Sequence, residues 1–374
     1  MNDLMRLNQD CRHMRWDRPC FYHKKEGVLC PGCPHYEPVK RRLLVVKLAA
    51  DGDVLRTTGI LPRLHEEVSG THVTWLTAPS AAPLLAGNPL VDRVLVAAGT
   101  TPPELLVERF SQVICPDADP PSCALAALAG TGKRRGFTLS EYGVVRPIST
   151  GAREWLQMGL DDRAKRAGTR TYQEVMQRVL GLAAPAGPPQ LHLSEGERER
   201  AREFRRRAEI PSDRPLVGFN TGAGSRWPQK KWRYGYFLEL GRLLVARGRA
   251  VLLLGGPDER ERNERLLAEG GEGFHDAGWD NPVRDFAARL GLCDLVVTGD
   301  TLALHLGTAL ERPVVALFGP TSSAEIDLFG RGEKILPRGM ECLCCYDPHC
   351  RREPNCQDAI PVDRVEAAVE KWLP

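Results

Sequence analysis

The sequence predicts an α/β protein built from two doubly wound halves that face each other across a cleft. Three observations carry this. Apolar runs suited to buried parallel strands alternate with helical patterns along most of the chain. The alternation is interrupted once, at GLAAPAGPPQ (181–190), which has the Ala, Pro and Gly content of a linker. Finally, 374 residues are enough for two cores rather than one.

The expected organisation is a cysteine-rich extension over 1–40, a first α/β domain over 41–185, and a second over 186–374 that includes a cysteine-rich tail and a last helix. In the first half RRLLVVKLA precedes a helix expected near Val54 to Val68, HVTWLTA precedes SAAPLLAG, VDRVLVA precedes PPELLVERF, and FSQVICP precedes SCALAALAG. After the linker the pattern restarts with the strand RPLVGFNTGA, the helix YGYFLELGRLLVARG, and the strand RAVLLLGG with its helix ERERNERLLAEG. The helix VRDFAARLG, the strand DLVVTGD, the helix TLALHLGTAL and the strand RPVVALFGPT follow, and VDRVEAAVEKWL closes the chain. Sheets of this kind bind ligands beyond the carboxyl ends of their strands, so the cleft between the halves is the expected site.

Lys and Arg exceed Asp and Glu by three, so no overall field calls for nucleic acid or an anionic membrane. No stretch reaches the roughly 18 apolar residues of a span, and the first residues lack the apolar core of a signal peptide. A cytoplasmic protein with at most peripheral membrane contact is expected. In a reducing compartment the twelve cysteines point to metal rather than disulfides.

Four segments carry candidate chemistry. In KLAADGDVLRTT, Asp53 stands where a strand hands over to a helix. An aspartate there is a preferred N-cap, and the helix terminus also keeps it ionised, as a general base needs; Asp51 reads as a solvated loop acid. In NTGAGSRWPQKKW, small residues after a strand and then Arg226, Lys230 and Lys231 are the ingredients of a phosphate site. GTGKRRG (130–136) lacks the spacing of a Walker loop and reads as a turn into a strand. GGPDE places Glu259 past a glycine-rich strand end, where a carboxylate suits paired ribose hydroxyls. In TGDTLALH, Asp300 and Thr301 open a helix whose N-terminus would face a diphosphate, with His305 one turn on.

Cys11, Cys20, Cys30 and Cys33, with the CPGC knuckle, have the spacing of a tetrahedral metal site. In ECLCCYDPHCRREPNC one of five cysteines is spare; Cys342, Cys345, Cys350 and Cys356 are the expected ligands, with Cys344 left over. Thiolates suit structural zinc or iron, the latter including an iron–sulfur centre. No catalytic metal is expected.

From about Arg42 onward the chain resembles glycosyltransferase family 9, the ADP-heptose lipopolysaccharide heptosyltransferases. The resemblance rests on KLAADGDVLRTTGILP, GAGSRWPQKKW, GGPDE, the DTLALH segment with ERPVVALFGPT, and the cysteine-rich tail. It implies the GT-B fold, with two Rossmann-like domains, and inverting transfer of a heptose-like sugar from a nucleotide diphosphate donor, ADP-heptose above all, to a glycan or lipopolysaccharide hydroxyl. It also implies roles: Asp53 as base, Lys230 on the diphosphate, Glu259 on the ribose, and Asp300, Thr301 and His305 on the diphosphate and sugar. Leu302 stands where the family has glycine, which would crowd the diphosphate or shift the loop. The tail resembles that of a related branch that modifies polypeptides and holds iron. The competing readings are a protein O-heptosyltransferase, a metal-stabilised nucleotide-sugar binding protein without turnover, and a nucleotide-sugar epimerase.

Overall fold

In the computed structural model, which describes residues 7–224 and 227–373, the strand-forming runs assemble into two six-stranded sheets. The first is ordered β3-β2-β1-β4-β5-β6, from β1 (Arg41–Val46), β2 (Thr71–Thr77), β3 (Arg93–Val96), β4 (Gln112–Cys115), β5 (Arg134–Leu139) and β6 (Val145–Pro147). The second is ordered β12-β11-β10-β7-β8-β9, from β7 (Leu216–Asn220), β8 (Ala250–Leu254), β9 (Phe274–Asp276), β10 (Leu295–Gly299), β11 (Val314–Leu317) and β12 (Gly332–Ile335). Pairing is parallel throughout except for β6 against β5. Central strands such as β1, with Val45 opposite both Trp75 and Ile114, are covered on both faces, which is why they read as unbroken apolar runs.

Chain order reverses between β1 and β4 in one sheet and between β7 and β10 in the other. These switch points open a crevice at the carboxyl ends of the strands. Into it project the segment after β1, with Asp51 and Asp53, and the segments after β7 and β10, with Lys230, Asp300 and Thr301. Position in the topology, before any side chain is considered, brings the candidate residues together.

The halves are docked, not merely tethered. Helix Asp51–Thr57 of the first packs on helix Leu302–Ala309 of the second, and Leu55 and Leu84 share a buried cluster with Leu191, Leu252, Ala303 and Leu306. Arg284 adds a polar latch: it donates to the carbonyls of Pro83 at 2.9 Å, Ala86 at 3.2 Å and His192 at 2.7 Å, and to Glu197.

Several local expectations change. The helix expected from Val54 starts at Asp51 and breaks into a 3-10 turn at Thr58–Ile60 before resuming as Leu61–Glu67. Thr58 turns its hydroxyl back to the Leu55 carbonyl at 2.6 Å, and Gly59 lies so close to Gly187 that a Cβ would come within 2.2 Å of its carbonyl oxygen. That contact also ties the linker segment to the first domain, with Gly187 N–H donating to the Gly59 carbonyl at 2.8 Å. SAAPLLAG and PPELLVERF form only the short turns Ala82–Leu85 and Glu104–Val107. GTGKRRG does lead into β5, and the last helix forms as Val362–Trp372.

The two cysteine-rich ends occupy opposite poles. The extension meets the amino ends of β1 and β2: Lys40 N–H donates to Gly70 at 2.9 Å, Val39 N–H to Asp10 at 2.8 Å, and Arg12 lies 3.5 Å from Asp92. The tail runs along the crevice, with Cys344 N–H donating to Gly319 at 2.9 Å and Tyr346 N–H to Pro320 at 2.8 Å. No helix among the described residues is long and apolar enough to cross a membrane.

Candidate active site

Asp53 is the third residue of its helix and not the cap; the N-cap is Ala50, which has no capping side chain. From inside the first turn the Asp53 carboxylate still feels the Ala50 backbone, which helps to lower its pKa. About a third of its side chain, 37%, stays open to the cleft. Burial pushes its pKa up, but Arg56, whose Nε is 2.9 Å away, together with Lys47 and His305, outweighs that and holds it at about 2. Asp53 is therefore ionised at neutral pH. Asp51 is no free loop acid: it is the first helical residue, accepts the Ser80 hydroxyl at 2.8 Å, and lines the cleft.

Across from Asp53 lies His305, buried on helix Leu302–Ala309. A Cβ on Gly52 would stand 2.7 Å from its ring, so glycine lets the two helices approach. Burial, then Arg56, lowers the His305 pKa to about 4, which leaves a neutral imidazole. Thr301, not Asp300, caps that helix, accepting the Ala303 N–H at 3.2 Å. Leu302 follows as the first helical residue without disturbing the cap, and its side chain lines the cleft.

Asp300 pairs with Lys230, which donates to the Asp300 carboxylate at 2.7 Å and its carbonyl at 3.0 Å; Thr321 donates to the same carboxylate oxygen at 2.8 Å. Lys230 ends the 3-10 turn Pro228–Lys230, and the following helix begins only at Tyr234, so the cation reaches the site from the turn. Arg226 lies outside the described residues. Glu259 is buried, accepts the Gly256 N–H at 3.2 Å and lies 3.2 Å from Lys231.

These groups line two joined cavities. One, of about 500 Å³, holds Glu259, Gly222, Trp279 and Asn281; the other, of about 680 Å³, holds Asp53, Arg56, His305, Glu325 and Tyr346. Asp51, Trp227, Lys230, Asp300, Thr301 and Leu302 border both. The expected base and the expected ribose ligand thus face different chambers, with Lys230 and the helix N-terminus at the seam.

Sequence reasoning missed four contributors. Arg56 binds Asp53, stacks 3.9 Å over the Tyr172 ring and lies 4.0 Å from Glu325. Its spacing three residues after Asp53 on a helix was a readable signal. Lys47, paired with Asp117, adds positive potential at Asp53. Glu325 and Tyr346 lie far from the other motifs, and no local pattern marks them.

All twelve cysteines are free thiols. Cys30 and Cys33 form the expected tight knuckle, with Cys33 N–H donating to Cys30 at 3.2 Å. In the tail, burial and then the nearby Cys350, Cys345 and Cys342 raise the Cys356 thiol to about 11. Among the described residues, no three His, Cys, Asp or Glu side chains converge as a metal-binding group.

The family model described as glycosyltransferase family 9 (heptosyltransferase) matches residues 122–355, more than half of the chain. The chain belongs to glycosyltransferase family 9. Lipopolysaccharide heptosyltransferase 2 of Salmonella typhimurium is 29% identical over 194 residues, 47% of this chain and 54% of that protein. Lipopolysaccharide heptosyltransferase 1 of Pseudomonas aeruginosa is 27% identical over 341 residues, 85% of this chain and 89% of that protein. The chain thus spans about half the length of the first curated relatives it matches, and more of the second kind. Among solved structures, E. coli ADP-heptose lps heptosyltransferase II superposes with a TM-score of 0.64 at 21% identity over 89% of this chain and 98% of that one. The iron-containing dodecameric glycosyltransferase TibC of enterotoxigenic E. coli gives 0.52 at 15% identity, over 93% and 80%. These likenesses show the fold, two parallel-sheet α/β domains, which is consistent with the expected GT-B architecture.

Proposed function

We propose that this chain is an inverting heptosyltransferase, moving a heptose-like sugar from ADP-heptose to a hydroxyl of a lipopolysaccharide-type glycan. The observation that carries this reading is the ionised carboxylate of Asp53, open to the cleft and set opposite Lys230 and the N-terminus of helix Leu302–Ala309. The names of the curated relatives and of the solved heptosyltransferase supply the sugar, the donor and the acceptor class.

In the proposed step the acceptor oxygen forms the new bond to the anomeric carbon as the bond to the diphosphate breaks, and the acceptor proton passes to Asp53. Negative charge grows on the departing diphosphate. Lys230 and the backbone N–H groups of the helix terminus take that charge, where preorganised donors have most effect. The carboxylate of Asp300 holds Lys230 in place. Glu259 receives the ribose hydroxyls in the adjoining chamber, and neutral His305 packs the sugar side without adding charge. A base of such low pKa takes the proton late, once the acceptor oxygen is largely bonded.

The test is transfer from ADP-heptose to inner-core lipopolysaccharide, with product configuration read by NMR. Asp53→Asn keeps the shape and removes the base, and kcat should fall on the order of 10²- to 10⁴-fold with donor affinity retained. Retention of anomeric configuration, or an unchanged kcat in that variant, refutes the mechanism.

The structural zinc or iron expected at the cysteines belongs to the same proposal. Thiolates are the right donors for either metal, and Cys350, Cys345 and Cys342 are close enough to raise the Cys356 thiol, but the four do not converge as a ligand set in this structure, so the metal-bound tail would have to draw them together. Its support includes the iron named for TibC. Bound metal would brace the tail, and no chemical step passes through it. Metal analysis of anaerobically purified protein tests this.

A further inference from the structure

The turn that delivers Asp53 to the cleft is held from behind. Helix Asp51–Thr57 starts at Ala50 with no capping side chain, so the residues before it must be fixed in another way. Leu48 is tied to the neighbouring strand, its carbonyl accepting the Ala78 N–H at 3.1 Å and the Thr77 hydroxyl at 3.3 Å. The Ala49 carbonyl has a different partner: the ammonium of Lys47 reaches forward and donates to it at 2.8 Å. Ala49 and Ala50 form part of the wall of the Asp53 chamber, and Lys47, only 4% exposed, supports that wall from inside the domain.

Lys47 is itself held by Asp117, with which it makes a hydrogen-bonded ion pair. The two residues follow β1 and β4, the strands between which chain order reverses, so the pair bridges the floor of the crevice. Asp117 is fixed in turn by helix Pro120–Leu128 and by β4. Its carboxylate accepts the Ser122 hydroxyl at 3.4 Å, and its carbonyl accepts the thiols of Cys123 at 3.3 Å and Cys115 at 3.4 Å, both fully buried. Burial lowers the Lys47 pKa, but Asp117, Tyr172 and Asp53 outweigh it, so the ammonium keeps its charge. A buried ion pair is a weak source of stability, since apolar side chains could fill the same space without the desolvation cost. What an apolar pair could not supply is a fixed charge behind Asp53 and a donor for Ala49.

We propose that Lys47 and Asp117 are positioning residues for the Asp53 base. Lys47 does two separable things. It clamps the Ala49 carbonyl, which sets where the first helical turn and the Asp53 carboxylate stand, and its charge bears on that carboxylate. Burial raises the Asp53 pKa, and Lys47 stands second to Arg56 among the charges that oppose it. Asp117 keeps Lys47 in the geometry that serves both. The proposal rests on the reading of Asp53 as the base of sugar transfer.

The test compares Lys47→Met, Asp117→Asn and the double variant in the full chain. ADP-heptose and delipidated inner-core lipopolysaccharide are the substrates, with ADP affinity read by calorimetry and Tm by thermal unfolding. Lys47→Met should lower the kcat plateau on the order of 10- to 100-fold, as for a displaced reactive group, with both KM values and ADP affinity within about twofold. The acid limb of its pH profile should move upward. Its Tm should fall, because Asp117 is left buried and unpaired; the double variant removes that charge and should recover Tm. In the double variant kcat should stay low, which separates positioning from support of the fold, and the same comparison holds if Lys47→Met alone does not fold. Asp117→Asn should lower kcat by about tenfold or less without raising the acid limb. Recovery of both Tm and kcat to wild-type values in the double variant overturns the proposal, as does a loss of ADP affinity in Lys47→Met that matches its loss of kcat. Asp53→Asn separates the underlying reading: an unchanged kcat there removes the base and this proposal together, whereas a large loss there beside full recovery in the double variant removes this proposal alone.

Discussion

The two cysteine-rich ends look alike in sequence and differ in what they touch. The N-terminal extension caps the amino ends of β1 and β2, the pole of a parallel sheet where ligands do not bind. The tail instead follows β11 and its loop to the carboxyl pole, and its Tyr346 becomes part of the Asp53 chamber. Similar composition therefore caps a sheet at one end and walls the Asp53 chamber at the other. Which end a segment reaches, and not its cysteine content, decides whether it bears on chemistry.

The comparison sets an order of effects that falls with distance from the cleft. Lys230→Ala, at the seam of the two chambers, should lower kcat/KM for the donor about 100-fold or more, since it removes the charge proposed to meet the leaving group. An unchanged value would detach the seam from the chemistry. Next comes Arg56→Met. The proposed base, Asp53, can accept a proton only above its pKa, which lies at about 2 because Arg56 is the first of the charges opposing burial. Without Arg56 that pKa rises, so the acid limb of kcat/KM should move upward into the range pH 4 to 8, with a loss of about tenfold at the low end. A pH profile superimposable on the wild type would show that Arg56 does not tune the base.

Tyr346→Phe tests the tail more gently. It removes the hydroxyl that bridges Ser322 and Glu325, and kcat should fall a fewfold, about 1 kcal/mol in the barrier, with Tm within a degree or two. Smallest in activity is Cys30→Ser in the extension, for which kcat and both KM values should stay within about twofold of wild type while Tm falls. If Cys30→Ser damages turnover more than Tyr346→Phe does, the contrast between the two ends is broken.

Much of the fold was legible because buried parallel strands must be apolar along their whole length, so RRLLVV, AVLLL and LVVTG announce themselves. Helix ends were less so. Asp53 looked like a cap because aspartate favours that place, but the helix begins at Asp51, two residues earlier, and Thr301 rather than Asp300 caps the later helix. The linker is packed against Gly59, a contact between two glycines that no pattern within either segment encodes. Among site residues, Asp53, Lys230, Asp300, Thr301, Leu302 and His305 do converge on one chamber, and Glu259 takes the next. Arg56 was readable from its spacing, whereas Glu325 and Tyr346 were not.

The sequence by itself determined the two sheets, the strand ends at which residues with chemistry would stand, and the thiol-rich character of both termini, because periodicity and composition are local properties. Only the tertiary structure decided which of those residues meet. The low pKa of Asp53 depends on Arg56, on Lys47 and on His305 from the other domain; the far wall of its chamber, Glu325 and Tyr346, comes from a loop and a tail more than two hundred residues along the chain. Electrostatic and cavity effects are set by distances of a few ångströms between groups far apart in the chain, and those distances come into being only when the two halves dock.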